Sequence, residues 1–184
     1  MRRILAATAL LGLAAVPACA AHWNVELAKS KLGFSANWGA EPFVGVFQSW
    51  KADIDFDAAD LAHSHVVAVI DLSSEKSDAP DSDDGLKGAL GFAVDKFPTA
   101  RFEASRFKRL ADGSYVADAK LTIRGVTQPL RLPFKLAFGA NRAHMTGKVV
   151  LDRTAFGVGQ GEWAAPKPVA HEVAVTVDLT ATKS

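Results

Sequence analysis

Hydrophobic and polar residues alternate with a period of two along most of this chain. The clearest stretches are residues 44–56, 115–124, 130–138 and 173–181, where apolar side chains occupy alternate places. A period of two puts apolar side chains on one face of an extended segment, which is typical of half-buried antiparallel strands. The same pattern predicts further strands over residues 23–28, 32–38, 66–72, 100–110 and 144–154.

Short turn sequences separate the predicted strands. Residues 111–114, 124–127 and 139–141 each contain a glycine or asparagine suited to a tight reversal. Pro129 and Pro133 lack a backbone N–H, so their strand is predicted to lie at an edge or to carry a bulge. About eight long strands with few places for open edges favour a closed barrel over a sandwich.

One segment departs from the period of two. Residues 77–84 are polar and acidic, and Leu86, Ala89 and Leu90 follow at helical spacing. Acidic residues stabilise a helix N-terminus, so a short helix is predicted over residues 85–92. Its three glycines make it weak without packing. The predicted fold class is therefore all-β, an antiparallel eight-stranded barrel with one short helix closing it.

The first twenty residues have the features of an export signal. Two arginines precede an apolar run over residues 4–16, Pro17 interrupts it, and Ala18-Cys19-Ala20 fits a small-x-small cleavage site. We expect a signal peptide over residues 1–20, a mature domain over residues 21–184 and a periplasmic location. The alternative is a lipoprotein anchored through Cys19. The run is too short for a comfortable membrane span.

Composition narrows the classes of function. The 184 residues have a formal net charge of +1 and 22% charged residues, which argues against a basic nucleic-acid surface. A single cysteine cannot form a disulfide framework or a cysteine-rich zinc module. The sequence lacks the serine-hydrolase, zinc-protease and phosphate-loop motifs, and no metal site is predicted from its histidines. We therefore expect no catalytic residues, no metal and no enzyme activity.

The apolar faces of the strands leave two interpretations open. The chain contains 11 Phe and 4 Trp, many of them on those faces. Large apolar side chains can fill a small barrel completely or line a cavity for one ligand. Periodicity does not distinguish these cases, because a packed core and a lipid cavity require the same residue types.

Several segments resemble the YceI-like family of bacterial periplasmic lipid-binding proteins. The similarity extends from about Trp23 to Ala181. It is carried by residues 23–35, 44–47, 54–57, 96–102, 121–129 and 152–159, of which 96–102 (Lys-Phe-Pro-Thr-Ala-Arg-Phe) and 121–129 (Leu-Thr-Ile-Arg-Gly-Val-Thr-Gln-Pro) are the most specific.

The resemblance implies a lipocalin-like barrel that holds a polyisoprenoid or similar lipid. Residues 156–163 are similar to a branch associated with membrane b-type cytochromes, which implies a quinone-like ligand and makes such a cytochrome a candidate partner. Gly85 stands where many members carry histidine, and Gly91 where many carry phenylalanine. At these two positions, which concern head-group contacts and helix rigidity, the chain departs from the common pattern of the family.

On this basis the chain is expected to be a non-catalytic carrier without a cofactor other than a bound lipid, as a monomer or homodimer. The alternative is a structural or interaction module that partners a membrane cytochrome, with a packed barrel and no ligand. Arg124 and Arg153 are candidates for an anionic head group or are solvated strand-end charges. The lipid is expected to contact Phe34, Trp38, Trp50, Ile70, Phe102, Leu121, Ile123, Phe134, Leu136, Leu151 and Val175.

Overall fold

The computed structural model describes residues 20–184 except 79 and 168, so most of the predicted signal peptide, Cys19 included, lies outside the described residues. Within that part of the chain, no helix is long and apolar enough to cross a membrane. The strands are β1 His22–Val25, β2 Lys31–Trp38, β3 Glu41–Phe47, β4 Trp50–Asp55, β5 His65–Asp71, β6 Glu75–Ser77, β7 Thr99–Arg109, β8 Tyr115–Ile123, β9 Val126–Phe138, β10 Arg142–Asp152 and β11 Glu172–Lys183. The α-helix α1 is Pro80–Lys87.

Eight of these strands close into a ring in which every pairing is antiparallel. Their order is β1, β4, β5, β7, β8, β9, β10 and β11, and β1 closes the ring because it pairs with both β4 and β11. The predicted eight-stranded antiparallel barrel is confirmed. The turn over residues 111–114 connects β7 to β8, and Gly113 has the positive φ of 84° that such a reversal needs.

A second group of strands extends the barrel at one end. The first half of β11 pairs with β2, β2 pairs with β3, and β3 pairs with β6. The prediction of a single strand over residues 44–56 is therefore wrong in one respect, since Gln48 and Ser49 interrupt it and separate β3 from β4. The Gln48 and Ser49 N–H groups donate hydrogen bonds to Ser74, which fixes the interruption. As a result, β3 pairs with β2 and β6, whereas β4 pairs with β1 and β5.

The two prolines of β9 lie where the strand is paired on one side only. Pro129 and Pro133 oppose Lys120 and Val116 of β8, whereas β10 pairs with β9 only over residues 134–138. Their missing N–H groups therefore interrupt no ladder with β10. The expectation of an edge position holds locally, inside a barrel that is otherwise closed.

The helix begins and ends earlier than predicted. It occupies Pro80–Lys87 rather than residues 85–92, so the polar segment forms the helix itself. Proline suits the first helical position, and acidic residues suit the first turn. After Gly88 the chain reverses and Phe92 N–H donates to the Leu86 carbonyl at 2.6 Å. This turn requires Gly91, since a Cβ there would lie 2.0 Å from the Leu86 oxygen.

The interior divides into two apolar clusters. The first closes one end of the barrel with aromatic rings from β7, β8 and β9 and the segment after β4. In it, the centroid distances among Phe56, Phe107, Tyr115 and Phe134 run from 5.4 to 6.4 Å. The second cluster lies toward α1 and includes Leu72, Phe92 and Phe156. The candidate site is lined by side chains from both clusters.

Candidate ligand cavity

A cavity of about 300 Å³, called here the central cavity, runs inside the barrel. Inward-facing side chains of most strands line it, together with Leu86 of α1 and Phe92 after it. On β9 the lining residues alternate from Leu130 to Phe138, and the eight residue steps between them span about 26 Å. A volume near 300 Å³ is within the usual range of small-molecule sites.

Ten of the eleven residues predicted to contact the lipid line the central cavity. They share inward positions on their strands, because the period of two keeps one face of each strand toward the interior. They are Phe34, Trp50, Ile70, Phe102, Leu121, Ile123, Phe134, Leu136, Leu151 and Val175. The periodic pattern therefore locates the strand-borne part of the lining.

Trp38 is the residue of that set that the structure places elsewhere. It ends β2 at the tip of the β2–β3 hairpin and is 41% exposed. Its ring meets that of Trp163 edge-on with 6.3 Å between centroids. A bridge to Val169 holds the tip beside the segment that precedes β11. Trp38 thus belongs to the outer rim rather than to the cavity lining.

Arg153 lies at the cavity wall, but its N–H groups already have partners. The side chain is buried, and it donates to six backbone carbonyls between residues 158 and 170, those of Val158, Gly159, Trp163, Ala165, Val169 and Ala170. Burial lowers the pKa of the guanidinium from its usual value, and the charge of Asp152 opposes this shift. These bonds fasten the loop and leave no N–H free for a ligand head group.

Arg124 has a similar role at the neighbouring turn. Its guanidinium donates to the carbonyl of Ala89 at 3.0 Å and to that of Gly91. It is absent from the cavity lining, and its backbone has a φ of 51°. Both candidate head-group arginines therefore bind backbone carbonyls of the segments that cover the α1 end of the barrel.

Sequence reasoning missed the lining residues that come from irregular segments. Leu86, Phe92, Phe156 and Val158 line the central cavity from α1, from the turn after it and from the loop after β10. These segments have no period of two, so alternation does not identify them. Leu86 was visible only as part of the predicted helix.

A pair of buried carboxyl groups lies beneath α1. Glu75 of β6 is fully buried, and neither carboxylate oxygen has a hydrogen-bond partner in the described structure. Asp83 of α1 is 4% exposed and accepts hydrogen bonds from the Ser77 N–H at 3.1 Å and hydroxyl at 2.5 Å. Burial, together with the charge of Asp83, raises the pKa of Glu75 to about 7.

One group on the outer face has the donor atoms of a metal site. Among the described residues, His22, Asp53 and Asp55 place one nitrogen and two carboxylate oxygens within 4.8 Å of one another. All three are accessible to solvent, and His22 contacts Asp55 at 2.9 Å across two paired strands. An exposed histidine–aspartate contact of similar length, 2.8 Å, joins His144 and Asp178 on another pair of strands, so an ordinary surface contact accounts for the geometry.

Taken together, a closed antiparallel barrel, an apolar lumen and a helix over one end define a lipocalin-like class of protein. Residues 23–181 match the YceI-like domain, and the chain belongs to the YceI-like family.

Curated relatives are similar to this chain in sequence, and solved structures are similar to it in fold. A UPF0312 protein from Vibrio vulnificus is 27% identical over 86% of this chain and 89% of its own length. A UPF0312 protein from Yersinia pestis is 32% identical over 65% of this chain, and the match spans only 59% of the Yersinia protein.

Among solved structures, Burkholderia cenocepacia BcnA superposes with a TM-score of 0.83 at 30% identity, over 86% of this chain and 100% of that chain. A polyisoprenoid binding domain from Saccharophagus degradans, implicated in plant cell wall breakdown, superposes with a TM-score of 0.70 at 13% identity. That superposition covers 89% of this chain and 99% of the domain, and at this identity it shows the shared fold alone.

Proposed function

We propose that this protein binds a long apolar lipid of the isoprenoid or quinone type in the central cavity and carries it through the periplasm without chemical turnover. The observation that carries the proposal is the lumen itself, whose lining is apolar apart from Arg153 in the part of the chain that the structure describes. The polyisoprenoid binding of the Saccharophagus domain supports the ligand class. The export signal predicted over residues 1–20 supports the location, and a cytochrome partner stays a prediction from sequence.

The lining favours entry of the tail and exclusion of the head. Placing a polar group in an apolar site without a partner costs roughly 2–7 kcal/mol. Arg153 is the polar residue of the lining, and backbone carbonyls already occupy its donors. The head group therefore stays at the rim, and the shape of the lumen selects the chain.

The free energy of lipid transfer suits a carrier better than a protein that never releases its lipid. Burying each CH₂ from water gains about 0.8 kcal/mol, but a lipid tail in a bilayer is already out of water. Transfer from membrane to barrel is then close to neutral for the tail. A protein with these energetics exchanges its lipid with membranes in both directions.

The test is occupancy of the lumen by lipid. Protein purified from its native host is extracted with organic solvent and analysed by mass spectrometry, and delipidated protein is titrated with a prenol and a quinone. We expect a co-purifying isoprenoid lipid and saturable uptake. Repeated absence of both would overturn the proposal.

A pair of variants locates the site. Ala68→Phe adds a ring next to Phe102 in the lumen, whereas Ala137→Phe adds the same ring on the outer face of β9. We expect Ala68→Phe to weaken uptake by about tenfold or more, because the added volume competes with the tail. Ala137→Phe is expected to bind as the unmodified protein does.

A further inference from the structure

The helix α1 covers the cavity at one end, and its attachment to the barrel depends on polar groups. Leu86 of α1 lines the cavity, and the ring of Trp163 packs directly on Gly85. On the side facing β6, Asp83 accepts two hydrogen bonds from Ser77. Movement of α1 would therefore open the cavity and break the contact between Asp83 and β6.

Glu75 lies at this same attachment, and no N–H or O–H group of the described residues donates a hydrogen bond to its carboxylate. It opposes Phe47 in the β3–β6 ladder, and the ring of Phe47 lines the cavity. Its side chain is thus on the inner face of the sheet and fully buried, and its oxygens accept no hydrogen bond from the described residues. A hydrogen bond between the two carboxyl groups of Glu75 and Asp83 requires a proton, and it raises the pKa of Glu75. A buried ionised carboxylate without a partner is strongly unfavourable, whereas a neutral carboxylic acid is tolerated.

The charged side chains around Glu75 have opposing effects on its ionisation. Asp83 of α1 is the acidic neighbour, and Lys76 of β6 and Lys87 of α1 act in the opposite direction. Lys76 is shared, since its Nζ lies 3.9 Å from Asp83 and its side chain is mostly exposed. The strand β3 presents the apolar Phe47 on this face, and the turn after β5 presents Leu72.

We propose that Glu75 and Asp83 form a proton-controlled latch that sets how readily α1 opens the cavity. When Glu75 is neutral, α1 stays docked on β6. When Glu75 ionises, repulsion from Asp83 and the cost of a buried charge loosen α1, and the lipid exchanges faster. The identity of the ligand that passes α1 rests on the proposed function. The movement of α1 does not depend on that function.

The first experiment measures release of an uncharged probe. Diphenylhexatriene has no titratable group, so any pH dependence belongs to the protein. Its transfer from the protein to excess phosphatidylcholine vesicles is followed by stopped-flow fluorescence from about pH 5.5 to about pH 8.5, a range that spans ionisation of Glu75. We expect the release rate to rise by about tenfold across this range, with a midpoint near the pKa of Glu75.

Three variants separate the latch from other ionisations. Glu75→Gln keeps the shape without a charge, and its release is expected to be slow at every pH. Asp83→Asn keeps an oxygen acceptor for Ser77 but removes the neighbouring charge, so the midpoint is expected about one pH unit lower. Glu172→Gln alters an exposed glutamate of β11 and is expected to leave the profile unchanged.

The second experiment measures the lid without any lipid. Hydrogen exchange is recorded for the amides of Gly88, Phe92 and Val94, which are held by Asp84, Leu86 and Lys87. The ratio of rates between the unmodified protein and Glu75→Gln cancels the chemical dependence of exchange on pH. We expect this ratio to be near one at low pH and to rise by about tenfold at high pH.

The outcomes distinguish the latch from the proposed function. A release rate that does not vary with pH, or a Glu75→Gln protein that keeps the dependence, overturns the latch. If the probe and natural lipids all fail to bind, the proposed function is overturned, and the exchange ratio alone decides whether the latch exists. A constant exchange ratio overturns it in that case too.

Discussion

Single residues decide whether the segments over the α1 end stay in place, and Arg153 is the clearest example. Its planar group has five N–H donors in a fixed arrangement, which suits several carbonyls at once. The sequence shows only an arginine after a predicted strand. It does not indicate whether such a side chain reaches solvent, a ligand or backbone carbonyls, because that depends on how the loop over residues 158–170 folds back. The head-group hypothesis for Arg153 arose from that ambiguity.

Replacing Arg153 by lysine is expected to destabilise the protein by about 3 kcal/mol, because several buried carbonyls lose their donor. Chemical denaturation followed by tryptophan fluorescence measures this loss. Arg131→Lys, at an exposed position on β9, serves as the matched control and is expected to change stability little. Equal effects of the two substitutions would contradict the role assigned to Arg153.

Elements with a regular period were predictable, and elements defined by long-range contacts were not. The strands β9 and β10 follow the alternation closely, since a sheet with one apolar face imposes it. The interruption between β3 and β4 could not be predicted from the sequence, because a hydrogen bond from Gln48 to the distant Ser74 maintains it. The helix shifted toward the N-terminus because Gly91 forms a reversal in which the chain folds back on Leu86.

The turn after α1 can be tested through that glycine. Gly91→Ala would bring a methyl group against the Leu86 carbonyl, where a Cβ lies 2.0 Å away, so the turn must shift. We expect a loss of about 1–3 kcal/mol in unfolding free energy and faster amide exchange in residues 86–94. At Gly139 a Cβ would be 3.6 Å from its nearest neighbour, and Gly139→Ala is expected to leave exchange in residues 86–94 unchanged.

For the whole molecule, the sequence predicted a barrel but not the contents of its lumen. A packed interior and an open one need the same apolar residues, and only the three-dimensional arrangement shows the central cavity of about 300 Å³. The same holds for the buried acidic pair. Glu75 follows a short polar segment in sequence, and only the β3–β6 pairing places it inside.

This buried acid makes the stability of the whole fold depend on pH. The pKa of Glu75 is about 7 in the folded protein and ordinarily 4.5, so between these values the folded state binds more protons than the unfolded state. Stability from this group is therefore present at low pH and falls as pH rises toward 7, by about 3 kcal/mol in total.

Denaturation curves of the unmodified protein and of Glu75→Gln between about pH 4.5 and about pH 8 measure this contribution. The difference in unfolding free energy between the two proteins should grow with pH in favour of the glutamine variant. A difference that stays constant, or that changes in the opposite direction, would show that Glu75 does not retain its proton in the folded state.

The position of the two prolines in β9 affects how the barrel meets other molecules. Over residues 126–133 this strand has no partner in β10, and such a free margin ordinarily invites a strand from another chain to add on. Pro129 and Pro133 deprive the margin of two amide donors, and the Gln128 side chain bonds to the Ala155 carbonyl beside it. This stretch of β9 is thus a poor template for a strand from another chain, although β10 does not cover it.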